Sequence, residues 1–172
     1  ELHNQLEGNS LCDSVIADIR DRQKFKDVIL EFQPDFVFHF AAQALVLGSY
    51  KEPLETYETN VMGTIHVLDA LRSLNQPCYS VFITTDKVYE NMEVLTPYPE
   101  TAPFGGYDPY SNSKACAELA ISAFRNSFLN PKNYIEHLQS ISAARSGNVI
   151  GGGDWSENRL VPDIAGALIK NK

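Results

Sequence analysis

Apolar residues recur along this chain in two alternating rhythms. Phe25, Val28, Ile29 and Phe32 fall at i, i+3, i+4 and i+7, one face of a helix, with Asp21 placed to cap it and Pro34 to end it. Val61, Ile65, Leu68 and Leu71 repeat that spacing, and so do Ala117, Ile121, Phe124 and Phe128 in a helix opening near Tyr110. Between them stand short β-branched and aromatic runs. Ser14 to Ala17 reads as a short strand, Asp35 to Phe40 as a buried one, Ser80 to Thr84 as a third, and Leu138 to Arg145 as a fourth. Residues 91–109, rich in proline and glycine, read as an ordered loop, and Gly147 to Asp154 as a glycine-rich turn. Strands alternating with helices imply βαβ units, a parallel sheet and an α/β fold.

A length of 172 residues, 44% of them hydrophobic and 21% charged, suits one globular domain. A net charge of -8 without a basic run argues against nucleic acid and anionic membranes as partners. No apolar stretch reaches membrane-spanning length and no signal-peptide pattern is recognised. Cys12, Cys78 and Cys116 are odd in number and lack the spacing of metal ligands, so no metal is expected. They read as reduced, mostly buried thiols of a cytoplasmic protein. The chain opens without methionine and closes on an apparently helical run, so it reads as a segment of a longer polypeptide.

Chemistry concentrates in two places. Thr85, Asp86 and Lys87 follow the run ending at Thr84, and α/β sheets bind ligands beyond the carboxyl ends of their strands. Tyr110 and Lys114 stand at i and i+4, sharing one helix face. A tyrosine one turn from a lysine loses its proton more readily than its ordinary value of about 10 allows, and can take a proton from a substrate hydroxyl. Taken singly, each group has a plainer reading, as a solvated turn or an exposed helix pair.

Several runs, in this order, carry a resemblance. They are Asp18-Ile19-Arg20-Asp21, His39-Phe40-Ala41-Ala42-Gln43, Ser49-Tyr50-Lys51-Glu52-Pro53, Asn60-Val61-Met62-Gly63-Thr64, Asp86-Lys87 with Tyr89-Glu90-Asn91, Gly105-Gly106-Tyr107-Asp108-Pro109-Tyr110-Ser111-Asn112-Ser113-Lys114, and Gly147-Asn148-Val149-Ile150-Gly151-Gly152-Gly153-Asp154-Trp155. From Asp18 to Lys172 the chain resembles the extended short-chain dehydrogenase/reductase family, and within it the nucleotide-sugar 4,6-dehydratases. Asp86-Lys87, rather than Asp-Glu, resembles the type acting on CDP-glucose.

The resemblance implies a Rossmann-like, doubly wound parallel sheet lacking its first βαβ unit and most of the C-terminal substrate lobe. Residues 1–172 would form a partial NAD-binding domain, with substrate-binding elements starting near residue 147. It implies bound NAD as transient hydride acceptor, deoxysugar biosynthesis of the O-antigen kind as the setting, and a homodimer through helices near 61–74 and 110–128. Tyr110 would deprotonate the glucose 4-hydroxyl, with Lys114 lowering the tyrosine pKa and holding the cofactor ribose and Thr85 bonding the same sugar oxygen. Lys87 would then remove the C5 proton and Asp86 protonate the departing 6-hydroxyl. Asp18 and Ile19 would flank the adenine, Phe40, Ala41 and Ala42 the middle of the cofactor, and Asn60 its nicotinamide side, unless Asn60 is a helix cap. Asn148 and Arg159 would meet the sugar nucleotide. His39 reads as a satisfied core residue and Trp155 as a packing or loop-ordering one.

The glycine-rich cradle for the pyrophosphate, which should follow the first strand, is missing. In the strand order 3-2-1-4-5-6, the run at 14–17 would be third and that at 35–40 fourth, with the two absent strands between them. An exposed apolar edge and no turnover by the segment alone are expected. The rival readings are a dTDP-, UDP- or GDP-sugar dehydratase, an epimerase, or an inactive module that only binds and dimerises.

Overall fold

The Asp21 carboxylate accepts from the backbone N–H of Lys24 at 3.0 Å and starts α1, Arg22–Phe32. The computed structural model describes residues 12–170. They divide into a unit spanning Ala17–Gly147 and a second drawn from the residues on either side of it. In the first unit, β1 (Phe36–His39) is followed by the short helices α2 (Val46–Lys51) and α3 (Pro53–Tyr57). A π-helical turn over Glu58–Met62 leads into α4, Gly63–Leu71. Then come β2 (Cys78–Thr85), α5 (Pro109–Ser127), α6 (Tyr134–His137) and β3 (Gln139–Ser146).

The three strands are parallel in the order β1-β2-β3, with Phe38 opposite Val81 and Thr84 opposite Arg145. The α/β parallel sheet agrees with expectation. Leu138 adopts φ 61 and closes α6, so β3 begins one residue later than the apolar run suggested. Alternation along the strands sends Cys78, Phe82 and Ile141 to one face, where they meet Ile29 of α1, Leu68 and Leu71 of α4 and Ile121 of α5. Each large side chain fully buried there contributes roughly 1.5–3 kcal/mol.

Five expectations need correction. Ser14–Ala17 forms no strand: a strand is held by a ladder, and none of the described residues is paired with it. β1 is not buried on both faces, because Phe36 and Phe38 point away from the helices and are 64% and 61% exposed. Phe32 and Phe128 lie past the reach of the core, and Phe128 instead receives the Arg72 guanidinium over its ring. Helical structure begins at Val46, well before Val61, with a break at Glu52; three short segments carry too little periodicity to be recognised. Cys12 is exposed, whereas Cys78 is buried and Cys116 half-buried.

In the second unit, Asn148 to Asp154 leads by turns toward α7, Leu160–Ile169. Trp155, expected to pack or to order its loop, is 59% exposed, which leaves it out of a packed core.

Gly106 and Gly105 are required by what surrounds them. Gly106 has φ +106, and a Cβ there would lie 2.6 Å from the Asn112 backbone nitrogen; one on Gly105 would lie 2.6 Å from Glu90 Cα. Gly106→Ala is expected to lower stability by about 1–3 kcal/mol, read from the urea unfolding midpoint. Gly151→Ala, whose added carbon meets nothing within 4 Å, serves as control and should leave the midpoint in place.

Candidate active site

β2 delivers its last residue, Thr85, in extended conformation, and the chain then tightens into a 3-10 turn over Asp86–Val88. The Thr85 hydroxyl accepts from the Lys87 backbone N–H at 3.3 Å and donates to Asp86 Oδ1 at 3.1 Å. Lys87 Nζ stands 3.8 Å from the same carboxylate oxygen, and both side chains are substantially open to solvent, 41% and 58% exposed. A pair so exposed adds little stability. It remains available to a ligand at the carboxyl edge of the sheet.

α5 brings the second group alongside. Asp108 caps it, accepting from Ser111 N at 2.9 Å and from the Ser111 hydroxyl, and Pro109 begins it with a preset φ. The Tyr110 backbone N–H donates to Ser49 Oγ of α2 at 3.1 Å, and the Tyr110 side chain is half-buried. One turn on, Lys114 is buried, and its ammonium donates to the Ile83 carbonyl of β2 at 3.1 Å. Burial pushes the amine down to about 8, opposed by the Glu118 carboxylate. α5 packs on both β2 and the Asp86–Val88 turn, which brings the two sequence-predicted groups onto one seam.

Asn60 is not a helix cap. It lies inside the π-helical turn, 1% exposed, accepting from Gln43 N at 2.8 Å and donating to Gln43 O at 3.0 Å and to Ser113 Oγ at 2.9 Å. Ser113 Oγ in turn donates to Tyr110 O at 2.7 Å, so this amide locks the end of β1 to the first turn of α5. His39 is buried beside Thr64 Oγ1 at 3.2 Å. Burial, with Lys114 a lesser cause, lowers its pKa to about 4 and keeps it neutral. It is a satisfied core residue, as expected.

The remaining expected contacts are more scattered. Phe40 and Ala41 are exposed and Ala42 half-buried beyond β1. Asp18 is gripped by Arg20, whose Nη2 lies 2.6 Å from it, and the guanidinium holds its carboxyl at about 2. Ile19 commits its side chain to the core, filling the space left by the missing side chain of Gly63. Asn148 and Arg159 belong to the second unit, where Arg159 Nε lies 3.7 Å from Asp154 Oδ2. Among the described residues no cluster of His, Cys, Asp and Glu could hold a metal ion.

Sequence reasoning missed Gln43, Ser49, Ser113, Glu118 and Arg145. Glu118 alone carried a signal, one turn beyond Lys114 on the Tyr110 face. The others act through backbone contacts and across strands, which spacing does not report.

A parallel sheet with a Tyr-x-x-x-Lys helix against the end of its middle strand is the arrangement of a short-chain dehydrogenase/reductase type of fold. The GDP-mannose 4,6 dehydratase family profile matches residues 2–142, and the chain belongs to that family. It is 54% identical to CDP-glucose 4,6-dehydratase of Salmonella typhimurium over 95% of its own length and 46% of that protein. It is 34% identical to dTDP-glucose 4,6-dehydratase of Xanthomonas campestris over 72% of this chain and 37% of the relative. A dTDP-glucose 4,6-dehydratase from Streptomyces venezuelae, solved with NAD, shares the fold with a TM-score of 0.77 at 24% identity, over 90% of this chain and 44% of that one. The chain spans about half the length, or less, of the curated relatives it matches.

The depressed Lys114 pKa has a measurable consequence. Between about pH 8 and the ordinary value of 10.5, the unfolded chain holds a proton on this amine that the folded chain has released. The Lys114 contribution to stability therefore rises with pH across that window. Lys114→Met removes the effect, so the variant's stability relative to wild type should fall as pH rises from 7 to 10 in urea titrations. A difference independent of pH would contradict the burial of a charged amine.

Proposed function

We propose that this chain carries the catalytic seam of a CDP-glucose 4,6-dehydratase, which converts CDP-glucose to CDP-4-dehydro-6-deoxyglucose and water. The observation that carries the reading is the 54% identity to such an enzyme over 95% of the chain, together with an exposed Asp86–Lys87 pair at the end of β2.

The residues present fit one end of NAD. Beyond β1 stand the small side chains of Ala41 and Ala42, and the buried amine of Lys114 reaches the edge of β2, where such sheets take ligands. Asn60 fastens the segment that follows β1. Neither β1 nor β2 is followed by a glycine-rich turn, so these strands supply no pyrophosphate cradle. NAD, when bound, supplies what no side chain here can, the uptake and return of a hydride. Asp18 and Ile19 are assigned to the adenine side, with Ile19 serving through its backbone.

Tyr110 takes the proton of the sugar 4-hydroxyl, assisted by the cationic amine of Lys114, while Thr85 bonds the same oxygen. The ketone at C4 acidifies the C5 proton. Lys87 Nζ removes that proton, the C6–O bond breaks to leave a C5–C6 double bond, and Asp86 gives a proton to the leaving hydroxyl, which departs as water; the double bond would then take the returned hydride at C6 and the proton held by Lys87 at C5. The elimination needs an amine and a carboxylic acid. Moving one proton from Lys87 to Asp86, once a bound sugar excludes water and closes their gap, provides both. Asn148 and Arg159 begin the substrate-binding elements, the guanidinium being suited to a phosphate.

The same reading pairs α4 and α5 with those of a second copy. Support comes from apolar side chains left open on and beside them, Leu119 at 56% exposure and Met62 at 45%. The thiols of Cys78, buried, and Cys116, half-buried, support a reducing, cytoplasmic setting, and no helix among the described residues is long and apolar enough to cross a membrane.

Two measurements test the proposal on the longest available polypeptide that contains this chain. Incubation with NAD and CDP-glucose should yield a 4-keto-6-deoxy sugar that absorbs near the ultraviolet edge of the visible after alkali. Lys87→Ala and Tyr110→Phe should each cut the rate by at least about 100-fold. Absence of the ketone, or a product inverted at C4, would overturn the dehydratase reading. Sedimentation velocity should show a dimer that Leu119→Glu converts to monomer; a monomeric wild type at micromolar concentration would contradict the pairing.

A further inference from the structure

Glu118 is among the most buried carboxylates of the first unit, its side chain 6% exposed, and a charge so placed must be matched. Its Oε1 accepts from the Thr84 hydroxyl at 2.5 Å and from Arg145 Nε at 2.9 Å, and its Oε2 from Arg145 Nη2 at 3.2 Å. Arg145 stands on β3 directly opposite Thr84. Its remaining nitrogen, Nη1, donates to Tyr89 Oη and to the Glu100 carbonyl, each at 2.9 Å. The guanidinium also lies 4.8 Å from the ring centre of Phe104 and 5.0 Å from that of Tyr89.

One ion pair therefore joins four pieces of chain: α5, the end of β2, the end of β3, and the segment from Tyr89 to Phe104. Thr84 and Tyr89 are the positions just before and just after Thr85–Val88. Both ends of the turn that carries Asp86 and Lys87 are thus fastened to the same two side chains. Tyr89 bridges to Phe104, the Glu90 N–H donates to Pro103 O at 2.9 Å, and the Gly105 N–H donates to Val88 O at 2.9 Å, which closes the segment on itself. Neither Glu118 nor Arg145 has a part in the proposed chemistry. A buried ion pair adds little net stability compared with apolar residues of the same volume, whereas its forked geometry fixes orientation. Glu118 shares the face of α5 with Tyr110 and Lys114, and its charge also favours the cationic form of Lys114.

We propose that the Glu118–Arg145 pair is a positioning device, holding the Asp86–Lys87 turn and the 89–104 segment in fixed register with Tyr110 and Lys114. The catalytic part of this inference rests on the dehydratase reading; the anchoring part does not. Tyr89 is its link to the segment, because its hydroxyl is held by Arg145 and its ring stacks on Tyr98 at 5.5 Å.

The test uses Glu118→Gln, Arg145→Lys and Tyr89→Phe in the longest polypeptide containing this chain, each read by hydrogen–deuterium exchange and by steady-state kinetics with CDP-glucose. Tyr89→Phe removes only a hydroxyl at the rim, so it carries the test if the buried substitutions fail to fold. Exchange in residues 86–104 should accelerate at least about tenfold while residues 78–83 keep their protection. The kcat of Glu118→Gln and Arg145→Lys should fall by about 100-fold with KM for the sugar nucleotide within about twofold, the pattern of misplaced groups rather than lost binding. Unchanged exchange in residues 86–104, or accelerated exchange with an unchanged kcat, would overturn the proposal. If the wild type makes no ketone from CDP-glucose, the dehydratase reading fails, and exchange alone decides the anchor: acceleration supports it and no change overturns it.

Discussion

A lysine amine carried into the seam between a helix and a sheet constrains everything around it. Lys114 is almost wholly buried, so its charge is costly unless it is bonded, and the bond it makes is to a main-chain carbonyl of β2, Ile83. That acceptor cannot adjust as a side chain could. α5 must therefore sit at one height and one rotation on the sheet, and the neighbouring residues enforce this. The Asp108 cap, the Ser49 hydroxyl under Tyr110 N and the Asn60 amide on Ser113 each fix the first turn of α5 from a different direction. Four residues on, the Glu118 carboxylate supplies compensating charge and ties the same helix to β3.

Within the first unit, the described helices pack against one face of the sheet. Alternation sends Phe82, Cys78 and Ile141 to the helices, whereas Phe36 and Phe38 on the other face remain largely exposed. Polar chemistry gathers instead at the carboxyl ends of the strands, where backbone groups leave the ladder and side chains can reach a ligand. Thr85, Asp86 and Lys87 at the end of β2, Gln43 just past β1 and Arg145 near the end of β3 all lie on that edge.

Much of this was legible in the sequence, for reasons that differ by element. α5 announced itself by a long apolar stripe, and β2 by a β-branched run ended by Thr-Thr-Asp-Lys. The pairing of Tyr110 with Lys114 follows from helical periodicity alone. Ser14–Ala17 misled, because strand propensity has no effect without a neighbour to pair with. β1 misled in another way: an apolar run signals burial on both faces only where both faces are covered. For Asn60 the alternative of a helix cap stayed open because its bonds depend on a π-helical turn and a partner on another helix, neither of which spacing reveals. The Glu118–Arg145 pair, joining residues 27 apart in sequence, was beyond a local reading for the same reason.

In the proposed dehydratase, one seam abstracts a proton from the sugar hydroxyl and then eliminates water next to it, with hydride leaving C4 and returning to C6. CDP-glucose carrying deuterium at C4 tests this most directly, with the product examined by NMR and mass spectrometry. The expected product is a 4-keto-6-deoxy sugar with the label moved to C6. A label kept at C4 in an inverted sugar, or a ketone with its label lost to solvent, would contradict it.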